Sequence, residues 1–312
     1  MGFPGLPIRA QYESIPSNNP YQGDFMIVNP IRDTVLATLA LACFLPAPAS
    51  KAQAHEQTIS ATPGTLVRWR VPGATRCSMR ARSWAALEGV CYYPIDLLDQ
   101  PGPIAIALWG TGPNPVPKKL AHITVEAHDY GTEQITLPDI PQANPSPQDL
   151  KRDEGDRAVL GKVWRAKEGP ARFTLPLGPP VSPMSMGKSF GVKRVYNGKL
   201  AEQAHMGSDY DSPVGSPILA VASGTVVFAN EMFFEGNAVF IDHGDGLISM
   251  YFHLSDIKVQ AGQEVRRGET LGREGATGRA TGPHLWFGVR WHGARIDPKF
   301  LLEARDKIPA VN

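Results

Sequence analysis

Four residues in the C-terminal third of the chain could do hydrolytic chemistry together: His205, Asp209, His253 and His284. Imidazole nitrogen and carboxylate oxygen are donors that zinc takes into a tetrahedral shell at roughly 2.0–2.2 Å, and a catalytic site leaves one position open for water. Binding lowers the pKa of that water towards about 7, so a hydroxide-like nucleophile exists at neutral pH while the metal polarises a scissile carbonyl. A histidine off the metal can move protons, because imidazole titrates near the working pH. The set therefore fits zinc-assisted hydrolysis of an amide. A histidine taken alone is more often a surface or hydrogen-bonded structural residue than a ligand, so the argument rests on the four together and on the words around them.

Those words are His205-Met206-Gly207-Ser208-Asp209, Tyr251-Phe252-His253-Leu254 and Thr281-Gly282-Pro283-His284-Leu285-Trp286-Phe287. They resemble the LytM/lysostaphin metalloendopeptidase family, whose matching words read His-x-Gly-x-Asp, Tyr-x-His-Leu and Gly-Pro-His-Leu-His. The resemblance runs from about Lys188 to about Leu302. It takes in Pro217, Gly224, Gly236-Asn237, Gly262, Gly268, Gly272, Gly275 and Gly278, positions where a turn or a close backbone approach excludes bulkier residues. The resemblance implies that His205 and Asp209 are metal ligands for one zinc ion. It implies that His253 and His284 are catalytic, as general base and as stabilisers of a tetrahedral intermediate. It further implies peptidoglycan as the partner and its peptide cross-links as the substrate.

One position departs from the pattern. The family's third ligand falls two residues after His284, where this chain has Trp286. Leu285 to Trp291 is rich in aromatic and branched residues and is expected to be a strand, so His284 and Trp286 would share a face. An indole N–H donates a hydrogen bond and has no lone pair for zinc. His292 lies on the same nominal face but is no substitute, since six residues along a strand span about 20 Å. His243, in Ile241-Asp242-His243-Gly244, matches a position that the family places at a strand end near a turn and not at the metal. The expectation is a two-ligand site, and a lost ligand should weaken metal binding by more than the roughly 10–100-fold usual for second-shell changes. The alternative is a metal-deficient, degenerate domain that binds peptidoglycan or activates a partner amidase. Regulatory relatives tend to lose several site residues together and to carry long coiled coils. This chain keeps four of five and has no sustained heptad run, which favours the zinc metalloendopeptidase.

The rest of the chain sets the context. At 312 residues it is long enough for two ordinary domains. A net charge of +1 gives no strong pull on nucleic acid or membrane. Residues 1–25 are polar and Pro-rich and are expected to be a non-native or disordered extension. Residues 26–54 follow the order basic, apolar (Thr34 to Leu45), small-x-small (Ala52-Gln53-Ala54) of a secretory signal peptide, with an apolar core too short for a stable membrane span. The mature protein is expected to be periplasmic or secreted. Cys43 raises a lipid-anchor alternative that Ala40, three residues earlier, fits poorly. Cleavage would leave Cys77 and Cys91, either as a disulfide, contributing roughly 3 kcal/mol by loop entropy, or as two buried thiols.

The expected fold class is mostly β. Residues 55–140 alternate in short strands (Val67 to Val71, Ile104 to Trp109, His122 to Ala127) and are expected to form a small β-sandwich, with His122 and His128 as ordinary surface residues. Residues 141–187 combine a helix with a Pro-rich linker. Ser146-Pro147-Gln148-Asp149 is a helix start, the helix runs to about Trp164 with an interruption at Gly155, and the prolines from Pro170 to Pro183 are expected to hold the neighbouring domains apart. Residues 188–312 are expected to be an antiparallel β-sheet of the LytM peptidase type. Its strands are Thr225 to Ala229, Ala238 to His243 and Leu247 to Leu254, with a hairpin at Gly244-Asp245-Gly246 and a second one over Lys258 to Leu271. Arg194, Tyr210, Asn237 and Tyr251 are candidate groove residues.

Overall fold

The computed structural model describes residues 57–113, 115–164, 169–185 and 187–311, so the extension 1–25, the signal peptide 26–54 and Cys43 lie outside the described residues. The segments of alternating polarity form strands. Before the helix these are β1 (Gln57–Ala61), β2 (Leu66–Arg70), β3 (Arg76–Met79), β4 (Arg82–Ala85), β5 (Val90–Pro94), β6 (Gly102–Trp109), β7 (Lys119–Val125) and β8 (Thr132–Ile135). Helix α1 (Pro147–Val163) follows, and then β9 (Lys193–Tyr196), β10 (Lys199–Leu200), β11 (Ser208–Tyr210), β12 (Pro217–Leu219), β13 (Gly224–Met232), β14 (Gly236–Asp242), β15 (Leu247–Leu254), β16 (Asp256–Ile257), β17 (Glu264–Val265), β18 (Thr270–Arg273), β19 (Leu285–Trp291) and β20 (Ala294–Ile296). A short helix, α2 (Lys299–Leu302), and β21 (Ala310–Val311) close the chain. No helix among the described residues is long and apolar enough to cross a membrane.

The N-terminal strands make the expected two layers. A five-stranded sheet in the order β1-β7-β6-β3-β4 faces a three-stranded sheet of β21, β2 and β5, and Val67, Trp69, Tyr93, Ile95, Ile106, Leu108 and Ile123 fill the space between. Cys77 and Cys91 meet there as a disulfide, with Cα atoms 5.5 Å apart. His122 lies in β7 and the His128 ring packs edge-on against Tyr130. The larger sheet follows the antiparallel order β11-β19-β15-β14-β13-β17, with β20 against β19.

β19 reads Leu-Trp-Phe-Gly-Val-Arg-Trp, and the period of two sends its odd and even members to opposite faces. Leu285, Phe287, Val289 and Trp291 join Tyr251, Val239 and Ile241 in the main core. Trp286 joins Phe240, Met250 and Met232 on the other face. Helix α1 covers part of that second face. Trp164 at its C-cap packs on Phe240, and the Arg290 guanidinium lies 4.2 Å from the Trp164 ring.

Three expectations are corrected here. The helix starts with the Ser146/Asp149 capping box but runs unbroken through Gly155, where exposure leaves nothing to distort it. The Pro-rich stretch is no spacer, because its apolar residues Phe173, Leu175, Leu177 and Val181 are buried in the main core and its backbone pairs with it, Leu177 N–H to the Leu301 carbonyl (2.7 Å) and Gly178 N–H to Val221 (2.7 Å). The second hairpin closes only at its ends, where β16 pairs β18, while β17 in its middle leaves to pair β13.

His243 is a structural histidine. It is fully buried, Nδ1 donates to the Ser223 carbonyl (2.9 Å) and Nε2 lies 2.7 Å from Ser249 Oγ. That hydroxyl reaches the Tyr251 hydroxyl at 3.0 Å, which also accepts the Val221 N–H. Burial pushes the His243 pKa down to about 4. Burial, with Arg82 adding to it, pushes that of His292, stacked on Trp84, down to about 3. Both are neutral in the fold and protonated in the unfolded chain below pH ~6.5. Their contribution is complete above that value and falls as pH drops towards 4. Between pH 7.5 and 5 the unfolding free energy, measured by urea titration, is expected to fall by roughly 2 kcal/mol per histidine. A midpoint flat over that range would contradict their neutrality.

Candidate active site

The structure brings His205, Asp209, His253 and His284 together on the Trp286 face of the large sheet. Asp209 lies in β11, directly opposite Trp286 of β19, which is in turn opposite Phe252 of β15. His205 precedes β11, 8% exposed, its N–H bonded to the Val192 carbonyl and its Nδ1 donating to Ser189 (3.0 Å). His284 sits just before β19, bridged to Gly275, with Nδ1 donating to the Gly282 carbonyl (2.9 Å). In both rings the carbonyl fixes the tautomer and leaves Nε2 as the lone-pair atom. The two Nε2 atoms lie 3.3 and 3.6 Å from the same oxygen, Asp209 Oδ1.

His253 reaches this cluster through a bulge. Asn237 pairs with Leu254 and Val239 with Tyr251, so Phe252 and His253 together oppose Ala238. His253 adopts φ +66°, a left-handed conformation that costs of order 1–3 kcal/mol for a non-glycine residue. It is held there by its N–H on the Glu235 carbonyl (2.9 Å) and its Nδ1–H on Thr277 (2.8 Å). Its ring lies 4.9 Å from that of His284. Burial, and then the charge of His284, push its pKa down to about 3, so it is a neutral acceptor at working pH.

The same bulge corrects the groove assignment. In an unbroken strand Tyr251 and His253 would share a face, but the extra residue turns His253 to the site and leaves Tyr251 fully buried in the core. Tyr210 is also in the core. Asn237 stitches the loop after β15, donating to the Leu254 carbonyl (3.0 Å). Arg194 alone of the four candidates lines the cavity beside the site. This cavity has a volume of about 260 Å³ and runs from Asp209 and His284 to Lys188, Tyr196 and Arg279, with Glu133 and Ile135 of β8 as one wall. Sequence reasoning missed that wall, because the parallel pairing of β8 with β9 joins segments some sixty residues apart.

Arg194 neutralises Asp209. Its guanidinium donates to Asp209 Oδ2, and its Nε lies 3.3 Å from Glu133. Burial alone would raise the Asp209 carboxyl, but His205, Arg194 and His284 together outweigh it and hold it well below the usual carboxylate range. Asp209 Oδ1 and His205 Nε2 are both buried without a hydrogen-bond partner. Two orphaned donors 3.3 Å apart match the edge of a tetrahedral shell with bonds of about 2.0–2.1 Å. The third corner does not follow: Trp286 lies flat on Phe252, ring centroids 4.1 Å apart and 3° from parallel, with its edge towards His205. Cβ atoms at Gly207 and Gly288 would come within 2.5 and 2.4 Å of the indole, so these glycines leave its space clear. Among the described residues no group of three or more His, Cys, Asp or Glu is arranged to hold a metal ion. The residues fit a cation at two corners and not as a complete shell.

Residues 203–298 match the profile of Peptidase family M23. The chain is 38% identical over 111 residues to the peptidoglycan DD-endopeptidase ShyC of Vibrio cholerae, covering 36% of this chain and 26% of that protein. It is 44% identical over 94 residues to the DD-carboxypeptidase/endopeptidase Mpg of Neisseria meningitidis, covering 30% and 22%. The chain thus spans about a quarter of the length of these curated relatives. A crystal structure described as a peptidase M23 of Pseudomonas aeruginosa is similar over 77% of this chain and 94% of its own, with 29% identity and a TM-score of 0.56.

Proposed function

We propose that this chain, whose residues 203–298 form an M23 (LytM-type) peptidase domain, hydrolyses peptide cross-links of peptidoglycan outside the cytoplasm, after export directed by residues 26–54. The observation that carries the reading is the convergence of two carbonyl-oriented imidazoles, His205 and His284, on one carboxylate oxygen of Asp209, with the neutral His253 against His284. In this reading His253 takes the proton of the attacking water on Nε2, since its Nδ1–H is committed to Thr277. The same Nε2 then returns that proton to the leaving amine, while His284, whose ring lies 4.9 Å from that of His253, stands beside the tetrahedral oxygen. Arg194 keeps Asp209 ionised and leaves Oδ1 free. His205 Nε2 and Asp209 Oδ1 are the atoms that would hold the zinc ion on which the family relies, which when bound supplies carbonyl polarisation and an acidified water.

Trp286 favours a second reading, a groove that binds peptidoglycan without cutting it and stimulates a partner amidase. Incubating the purified mature chain with sacculi separates the two. The first reading expects soluble muropeptides from the unaltered chain, abolished by His253→Ala, with metal detected by elemental analysis. Sacculus binding without release or metal, together with stimulation of an amidase, would replace it by the second.

A further inference from the structure

The cavity beside the site is lined by three long cations, Lys188, Arg194 and Arg279. Two already have acids: Lys188 is paired with Asp211, and Arg194 with Asp209 and Glu133. Arg279 has no ion pair or side-chain hydrogen bond among the described residues. It is half-buried, and its guanidinium lies 4.5 Å from the ring centroids of both Tyr196 and Phe234. Its backbone is tied down as well, with the N–H on the Phe234 carbonyl (2.8 Å). The nearby acid that responds to it is Glu235, whose buried carboxyl is raised chiefly by desolvation and only partly lowered by Arg279.

A guanidinium stacked on aromatic faces keeps its N–H edges free, and those edges match a carboxylate in bidentate geometry. Stacking also removes the rotamer freedom that a free arginine would lose on binding. The side chain is therefore fixed, charged and unmatched, in the same cavity as His284 and Asp209.

We propose that Arg279 is the carboxylate receptor of this groove and selects peptides that carry a free carboxylate close to the amide held at His284. This rests on the reading of the cavity as a peptide groove, and it names the chemical class of the peptide: an acidic stem rather than an amidated or neutral one. Arg279 is a binding and specificity residue and takes no part in proton transfer.

The test is direct binding of N-acetyl-L-Lys-D-Ala-D-Ala and of its C-terminal amide to the whole mature chain by calorimetry. The acid is expected to bind at least about tenfold more tightly than the amide, the difference a charge-assisted bidentate contact supplies. Arg279→Met should bring the acid down to the level of the amide, and Arg279→Lys should keep part of the preference, with thermal melting confirming that both variants fold. Equal binding of acid and amide by the unaltered chain, or a preference that survives in Arg279→Met, would overturn the receptor and leave the peptide groove standing. No binding of either peptide would overturn the groove reading and the receptor together. A preference that persists in a chain which cuts no sacculi would remove only the hydrolytic reading.

Discussion

Replacing Trp286 by histidine is expected to raise bound zinc from well below one equivalent to about one per chain after dialysis, and to increase release of soluble fragments from sacculi by at least a hundredfold. The register makes this a strong expectation. Residue 286 sits directly opposite Asp209 across the β11–β19 pair, where Cβ atoms stand about 4.5–5.5 Å apart, so an imidazole there reaches the orphaned Oδ1 and His205 Nε2. Three protein donors are what a catalytic zinc site requires, with the fourth position left to water.

The substitution also has a cost. The indole lies flat on Phe252 and packs with Phe240, Met250 and Met232, and an imidazole fills less of that space. The metal-free variant is expected to be less stable by about 3 kcal/mol, the lower end of aromatic truncations. Added zinc should restore most of it, because a ligand at a hundred times its dissociation constant stabilises the folded state by about 2.7 kcal/mol. A zinc-induced rise in melting temperature that is much larger in Trp286→His than in the parent chain is the measurement. A parent chain that already holds one tightly bound zinc, or a variant that gains none, would sink the account of position 286.

What the sequence made legible, and what it hid, follows from how local each signal is. The words containing His205, Asp209 and His284 were readable because each holds a glycine or proline whose backbone role is local, and that of His253 because its tyrosine and leucine neighbours stand at fixed spacing. The strands β13 to β15 and β19 were readable from short runs of branched, aromatic and other apolar residues between glycine turns. The place of Trp286 beside Asp209 was implied by its spacing from His284. The stack on Phe252 was not, since it depends on the register between β15 and β19. Tyr251 was misassigned to the groove because a bulge between it and His253 leaves no mark in composition. The Pro-rich stretch was misread for a related reason: prolines predict an extended backbone, but whether an extended segment spans solvent or lies in a core is decided by Phe173, Leu175, Leu177 and Val181 finding partners on distant strands. Arg279 gave no signal, because its meaning comes from Tyr196 and Phe234, far from it in the chain.

Asp209→Asn is expected to destabilise the protein by about 3 kcal/mol apart from any loss of activity. The substitution keeps the shape and removes the charge. It leaves the Arg194 guanidinium, 13% exposed, opposed only by Glu133, which is 46% exposed and so a weaker, solvent-screened partner. Breaking one side of a buried ion pair typically costs 3–5 kcal/mol because the remaining charge has lost both its water and its partner, and Glu133 brings the value to the lower end. Arg194→Met is expected to cost less, since the Asp209 carboxylate keeps His205 and His284 close by and can share a proton with them. The double variant removes both charges and should be more stable than the sum of the single losses implies, by at least about 1 kcal/mol, the coupling of residues in direct contact. Urea unfolding of the four proteins measures this cycle. Strict additivity would mean that Arg194 does not set the charge state of Asp209. Because Arg194 holds Oδ2 and leaves Oδ1 free, Arg194→Met is also expected to keep a measurable share of any metal binding, whereas Asp209→Asn loses it. These different losses would separate the residue that positions the carboxylate from the one that supplies the donor.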